Sequence, residues 1–142
     1  MRTLEQERAK YAFDVVHEVK EKSSKVQESY NSYSKKAAVL ILTNGLGNTL
    51  AYYKSKFKGK KFEELEEDDE KAYCLLYKHI NNWLLRKINV AGNCEKDVLE
   101  WIIKDATSLQ VYLLTREVVL LLNWIKRFAD AELEREEERT SG

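Results

Sequence analysis

The sequence predicts an all-α protein, a compact bundle of five to six helices. Three observations carry this. Proline is absent and only five glycines occur, while 34% of residues are charged. That usage favours long helices with few turns. Apolar side chains recur at steps of three and four, the spacing of one helix face. No segment alternates cleanly between apolar and polar residues, so no strand is expected. With 44% hydrophobic residues the chain has enough apolar surface to bury a core. It reads as a single domain, residues 1–142, with a charged tail, 135–142, expected to fray.

The first helix is predicted from about Thr3 to Glu21, opened by a capping box of Thr3 and Gln6. Leu4, Tyr11, Ala12, Val15 and Val19 form its buried stripe. A short helix is expected around Val26–Lys36, with Val26, Tyr30 and Tyr33 on one face. The central stretch, Ala37 to Phe57, follows. The fourth helix runs from about Asp69 to Ile88, with Ala72, Tyr73, Leu76, Ile80, Trp83, Leu84 and the aliphatic stem of Lys87 as its stripe. Asn93 is a candidate N-cap for a helix over about Cys94–Ala106. Val98, Leu99, Ile102 and Ile103 are its expected buried residues. Thr107 or Ser108 caps a long last helix, to about Arg135, with Leu114, Val118, Leu121, Leu122, Ile125, Phe128 and Ala129 as its seam.

The bundle is organised around Ala37–Phe57, AAVLILTNGLGNTLAYYKSKF. Leu42, Leu46, Leu50, Tyr53 and Phe57 lie on one face. Leu40, Thr43, Gly47 and Ala51 lie on a second face of mostly small residues, open to another helix. The period passes through Asn44-Gly45-Leu46-Gly47 without a visible reset. This predicts one central helix, apolar on more than one side. The alternative is two helices with a glycine corner, because Asn-Gly ordinarily marks a turn. A phosphate-binding glycine loop lacks its preceding strand and its Gly-Lys-Ser/Thr ending.

Net charge is zero, so any attraction to nucleic acid must come from a local patch. Cys74 and Cys94 show no CxxC spacing and read as thiols rather than a disulfide or metal pair. No signal-peptide core or apolar run long enough to span a bilayer is seen, so a soluble, cytoplasmic protein is expected. Asp14, His17 and Glu18 fall within about one helical turn, yet such spacing ordinarily marks a solvated face. His79 reads as a boundary residue. There is no HExxH, nucleophile elbow or zinc spacing. No catalytic residue, metal or cofactor is therefore predicted.

The functional signal lies in the basic residues. Lys54, Lys56, Lys58, Lys60 and Lys61 crowd the end of the central helix. Seven acids among the eight residues from Glu63 to Glu70 follow. Both runs also suit the helix dipoles they flank. Arg86 and Lys87 end the fourth helix. An antiparallel fourth helix puts these two groups at opposite ends of the bundle, as separate anchor points. Arg116, Lys126 and Arg127 on the last helix complete the candidates for nucleic-acid contact. Tyr52 and Tyr53, beside Lys54 and Lys56, are the best placed aromatics to stack on a base, with core packing the other use of Tyr53.

The central stretch ILTNGLGNTLAYY resembles the motif of the small subunit of the type III-B CRISPR–Cas effector, the Cmr complex. Leu4-Glu5-Gln6-Glu7-Arg8-Ala9 opens the first helix as in that family. Thr115-Arg116-Glu117 and Asn123-Trp124-Ile125-Lys126-Arg127-Phe128-Ala129 match its last helix. The three blocks agree in order and spacing over almost the whole chain. Where the family often has a proline before the central helix, this chain has Ala38. The resemblance implies a non-catalytic subunit that stacks with copies of itself into a minor filament. It also implies partnership with other effector subunits and a role in holding the crRNA–target RNA duplex. Target cutting falls to a different subunit, with no small-molecule substrate or membrane for this one. The competing class is a helical adaptor or self-associating bundle with no nucleic-acid role.

Overall fold

A computed structural model describes residues 2–88 and 97–135. Six α-helices are present among them: α1 (Leu4–Lys20), α2 (Ser24–Asn44), α3 (Leu46–Phe57), α4 (Asp68–Ile88), α5 (Val98–Lys104) and α6 (Ser108–Glu132). One 3-10 turn, Phe62–Glu64, sits between α3 and α4. No strand occurs among the described residues. The fold is thus the predicted all-α bundle.

Local chemistry sets most boundaries. The Thr3 hydroxyl accepts the Gln6 N–H and the Gln6 side chain returns the bond, closing the predicted capping box. Thr107 and Gln110 repeat it at the start of α6. The expected N-cap Asn93, with Cys94, lies outside the described residues. Asp97 caps α5 through the Leu99 N–H, so that helix begins later than the spacing indicates.

The central stretch is two helices, which corrects the single-helix expectation. Gly45 stands between α2 and α3 at φ 91°, ψ 153°, backbone that is essentially restricted to glycine. Asn44 ends one helix and Leu46 begins the next. The expected short helix over Val26–Lys36 is the first half of α2, which continues unbroken from Ser24. Leu42, expected in the core, is 67% exposed, and Ile41 is buried in its place. A Cβ on Gly47 would stand 3.5 Å from the Ile102 side chain of α5, so this glycine does face another helix. Thr43 and Ala51 are exposed.

Four further burial assignments change. Leu4 lies on an exposed first turn. Ile103 faces out from the short α5, and Ile102 is only half-buried. His79, read as a boundary residue, is fully buried.

The layers follow from side-chain register. Arg8 pairs with Glu117, Phe13 with Phe128 and Lys20 with Glu132, so α1 and α6 run in the same direction. Lys35 pairs with Asp130, and Gln27 accepts the Glu134 N–H, so α2 runs opposite to α6. Helix α4 lies across α1 and α2. Its Trp83 meets Tyr11, its His79 meets both Glu18 and Tyr30, and its Tyr73 stacks on Tyr33. Tyr53 packs on Tyr73 and Phe57 on Tyr77, so contacts advance together along α3 and α4. The antiparallel arrangement expected of this pair is not formed.

Candidate nucleic-acid interface

The end of α3 is built to display lysines. Its C-cap, Lys58, takes a left-handed conformation at φ 55°, and Gly59 follows at φ 66°. The Lys60 N–H closes the turn on the Phe57 carbonyl at 3.0 Å. Buried Phe57 and Leu65 anchor the two sides of this loop. Lys58, Lys60 and Lys61 project from it, exposed and without an ion pair among the described residues.

The other two lysines of the run are engaged. Lys54 Nζ lies 2.7 Å from Asp97 Oδ2, and the Tyr77 hydroxyl donates to Asp97 Oδ1. Burial opposes the charge on Asp97. The Lys54 ammonium and the Tyr77 hydroxyl outweigh it and hold this carboxyl below the usual carboxylate range. Lys54 therefore ties α3 to the start of α5. Lys56 is exposed, with its ammonium 4.9 Å from the centre of the Tyr52 ring and 6.0 Å from that of Tyr73. Tyr53 is buried, so the core takes it, whereas Tyr52 is 46% exposed.

Arg86 and Lys87 form a second group on α4. The Arg86 guanidinium lies 4.8 Å from the Tyr11 ring centre, and Lys87 Nζ 4.4 Å from that of Trp83. Such stacking holds the cations in place while leaving them charged. Both line an open groove of about 960 Å³ between α1 and α4, whose lining includes Arg2, Tyr11 and Trp83 and also the acids Glu7, Asp14 and Glu18. Phe57 meets α4 at Tyr77, nine residues before Arg86, or roughly 14 Å along the helix axis. The two groups are thus distinct, with a smaller separation than the length of the bundle. Arg116, Lys126 and Arg127 stand on α6, which packs on α1 and α2. Arg127 borders a shallow hollow of about 300 Å³ beside Arg8 and Trp124. The basic candidates therefore fall on three elements, the end of α3 with its loop, α4 and α6, and on α6 Arg116 stands about 15 Å from Lys126 along the axis.

Asp14, His17 and Glu18 do not converge. Asp14 accepts from Lys10 at 2.8 Å, His17 Nδ1 bonds the Phe13 carbonyl at 2.8 Å, and Glu18 turns to His79. No cluster of three or more His, Cys, Asp or Glu side chains among the described residues could hold a metal ion. Cys74 is a buried free thiol, and Cys94 lies outside the described residues.

Two buried polar networks escaped the sequence reading. His79 Nε2 donates to Glu18 at 3.1 Å, and His79 Nδ1 accepts from the Tyr30 hydroxyl at 2.8 Å. The Tyr11 hydroxyl donates to the His79 carbonyl at 2.6 Å. Burial lowers the His79 pKa, so the ring is neutral and bridges α1, α2 and α4. In the second network, Glu117 accepts from Arg8 at 2.6 and 2.9 Å and from the Trp83 indole at 3.0 Å. Burial resists ionisation of Glu117, but these donors hold its pKa below the ordinary value. No local spacing announces either network, because the partners are distant in the chain.

The fold and this surface define a small helical protein that displays separate basic clusters around a hydrogen-bonded core. The profile of the family described as CRISPR-associated protein (Cas_Cmr5) matches residues 4–132. The chain belongs to this Cmr5 family, a subunit of the type III-B Cmr complex. It is also similar to the crystal structure of a CRISPR-associated Cmr5 family protein from Thermus thermophilus. That match has a TM-score of 0.66 at 26% identity, covering 94% of this chain and 100% of the other. No helix among the described residues is long and apolar enough to cross a membrane.

Proposed function

We propose that this chain is a non-catalytic cytoplasmic subunit that stacks with its own copies and helps hold the crRNA–target RNA duplex. The observation that carries the proposal is the state of Lys58, Lys60 and Lys61. They are exposed and free of ion pairs among the described residues, whereas Lys10, Lys20, Lys35, Lys54 and Lys104 each have an acid within 3 Å. Unpaired cations on a displayed loop suit phosphate neutralisation, which is indifferent to sequence. Arg86 and Lys87 provide a second contact along the same line. One copy makes few contacts, so useful affinity depends on several copies aligned on one RNA.

A different surface suits protein partners. Ile103, Leu109, Tyr112 and Leu113 are each more than half exposed where α5 leads into α6. Exposed apolar residues grouped in this way mark interaction surfaces. They support contacts with neighbouring copies or other subunits.

The test is a photo-crosslinking residue at position 60 in the assembled effector carrying crRNA and target. The expected product is a protein–RNA adduct from unrelated target sequences alike. Adducts to protein alone assign the loop to a subunit contact and contradict the RNA role.

A further inference from the structure

We propose that the corner between α2 and α3 holds a pocket for one unpaired nucleobase, a reading that rests on the RNA role above. Leu40, Asn44, Asn48, Thr49 and Tyr52 line a hollow of about 260 Å³. That is below the roughly 300–1,000 Å³ of a site enclosing a whole drug-sized ligand, so it takes part of a larger molecule. The lining contains no charged side chain. The occupant is therefore neutral where it enters.

Its polar groups match the edge of a base. Asn44 and Asn48 are exposed, and each amide offers both donors and an acceptor. Asparagine pairs with base edges through that combination. Thr49 is buried, and its hydroxyl has no hydrogen-bond partner. Tyr52 supplies a half-exposed ring, set edge-on against Tyr73 with centroids 6.2 Å apart. Aromatic rings of this kind stack unpaired bases in RNA recognition.

The order of groups along the surface then identifies the rest of the ligand. Leu40 and Asn44 end α2 on one side of the corner, and Asn48, Tyr52 and Lys56 follow at four-residue steps along α3 on the other. Amides and ring come first, then an ammonium 4.9 Å from that ring, then the unpaired lysines of the loop. A neutral planar group with hydrogen-bonding edges, attached to an anionic chain, is a nucleotide whose base is unpaired. The break at Gly45 creates the pocket, because a continuous helix would leave no corner.

The test measures binding of a short oligoadenylate and an abasic oligomer of equal length and charge by fluorescence anisotropy. The wild-type chain is expected to favour oligoadenylate by about five- to tenfold, in keeping with one stacked base. Tyr52→Leu and Asn48→Ala should each remove that margin. Affinity for the abasic oligomer and its salt dependence should not change. Both sites are exposed, so unchanged melting temperatures verify the fold. The triple variant Lys58→Glu, Lys60→Glu, Lys61→Glu should weaken both oligomers alike. A base margin that persists when this triple variant binds normally upholds the pocket and overturns the lysine reading. Equal wild-type affinity for the two oligomers, or a margin that survives both pocket variants, overturns the pocket alone. Displacement of oligoadenylate by a glutamine-bearing acidic peptide and not by adenosine assigns the hollow to a protein side chain, also overturning it. Failure of both oligomers to bind overturns the pocket, while the lysine reading then stands or falls on the assembled effector, where copies align on one RNA.

Discussion

At the scale of single residues, His79 couples stability to pH. Its folded pKa lies below the ordinary 6.5 because burial disfavours the charged ring. Near that pH the unfolded chain therefore takes up the proton more readily than the folded one. The stability contributed by neutral His79 is present above about pH 6.5 and is lost as pH falls through it. Glu18 acts in a lower window, since the hydrogen bond from His79 and nearby lysines hold its pKa below 4.5. Urea unfolding should show stability declining from about pH 7.5 to about pH 5.5, and His79→Gln should flatten that slope. His17 remains in both proteins, so equal slopes would contradict the assignment. Glu117 offers a second measurement. Glu117→Ala strands the Arg8 guanidinium and the Trp83 indole, and should cost about 1.5–3 kcal/mol in a denaturant titration. A loss under about 0.5 kcal/mol, as at an ordinary surface site, would contradict the network. Neither network was legible in the sequence. His79 meets Glu18 and Tyr30 from 61 and 49 positions away, and Glu117 meets Arg8 from 109. The Thr3–Gln6 box was legible because both halves of it sit within one turn.

At the scale of elements, the break at Gly45 decides the architecture. The apolar period conceals it for a specific reason. The buried positions run Ala37, Ile41, then Leu46, Leu50, Tyr53 and Phe57. The step across the break is five residues, not four. Because Ile41 and Leu42 are adjacent and both apolar, choosing Leu42 restores a step of four and hides the reset. The two glycines consequently have opposite expectations. Gly45→Ala forces an L side chain into backbone at φ 91° with no neighbour within 4 Å, so its cost of about 1–3 kcal/mol is purely conformational. Gly47→Ala places a methyl at ordinary contact distance from Ile102, in a helix where alanine is favoured over glycine by about 1 kcal/mol. Thermal unfolding should rank Gly47→Ala at or above wild type and Gly45→Ala clearly below it. The reverse order would restore the continuous helix. The run of α4 from Asp68, by contrast, was readable to within a residue, since acids crowd its first turn and an uninterrupted stripe follows.

At the scale of the whole molecule, the all-α class was legible because composition and period act over the entire chain. The division of the basic residues was not. Lys54 and Lys58 look alike in sequence, yet one is tied to Asp97, 43 positions away, and the other is displayed on a left-handed cap. The displayed lysines are expected to neutralise phosphate when copies line up in the effector. The most direct measurement is target-RNA affinity of the assembled complex against salt concentration, for wild type and for the variant with Lys58, Lys60 and Lys61 all changed to Glu. Each lost contact should flatten the slope of log affinity against log salt by roughly 0.7–0.9 per copy, equally for unrelated targets. A variant complex that assembles fully and keeps the wild-type slope would contradict the claim and leave the lysines as partners of the α3 dipole.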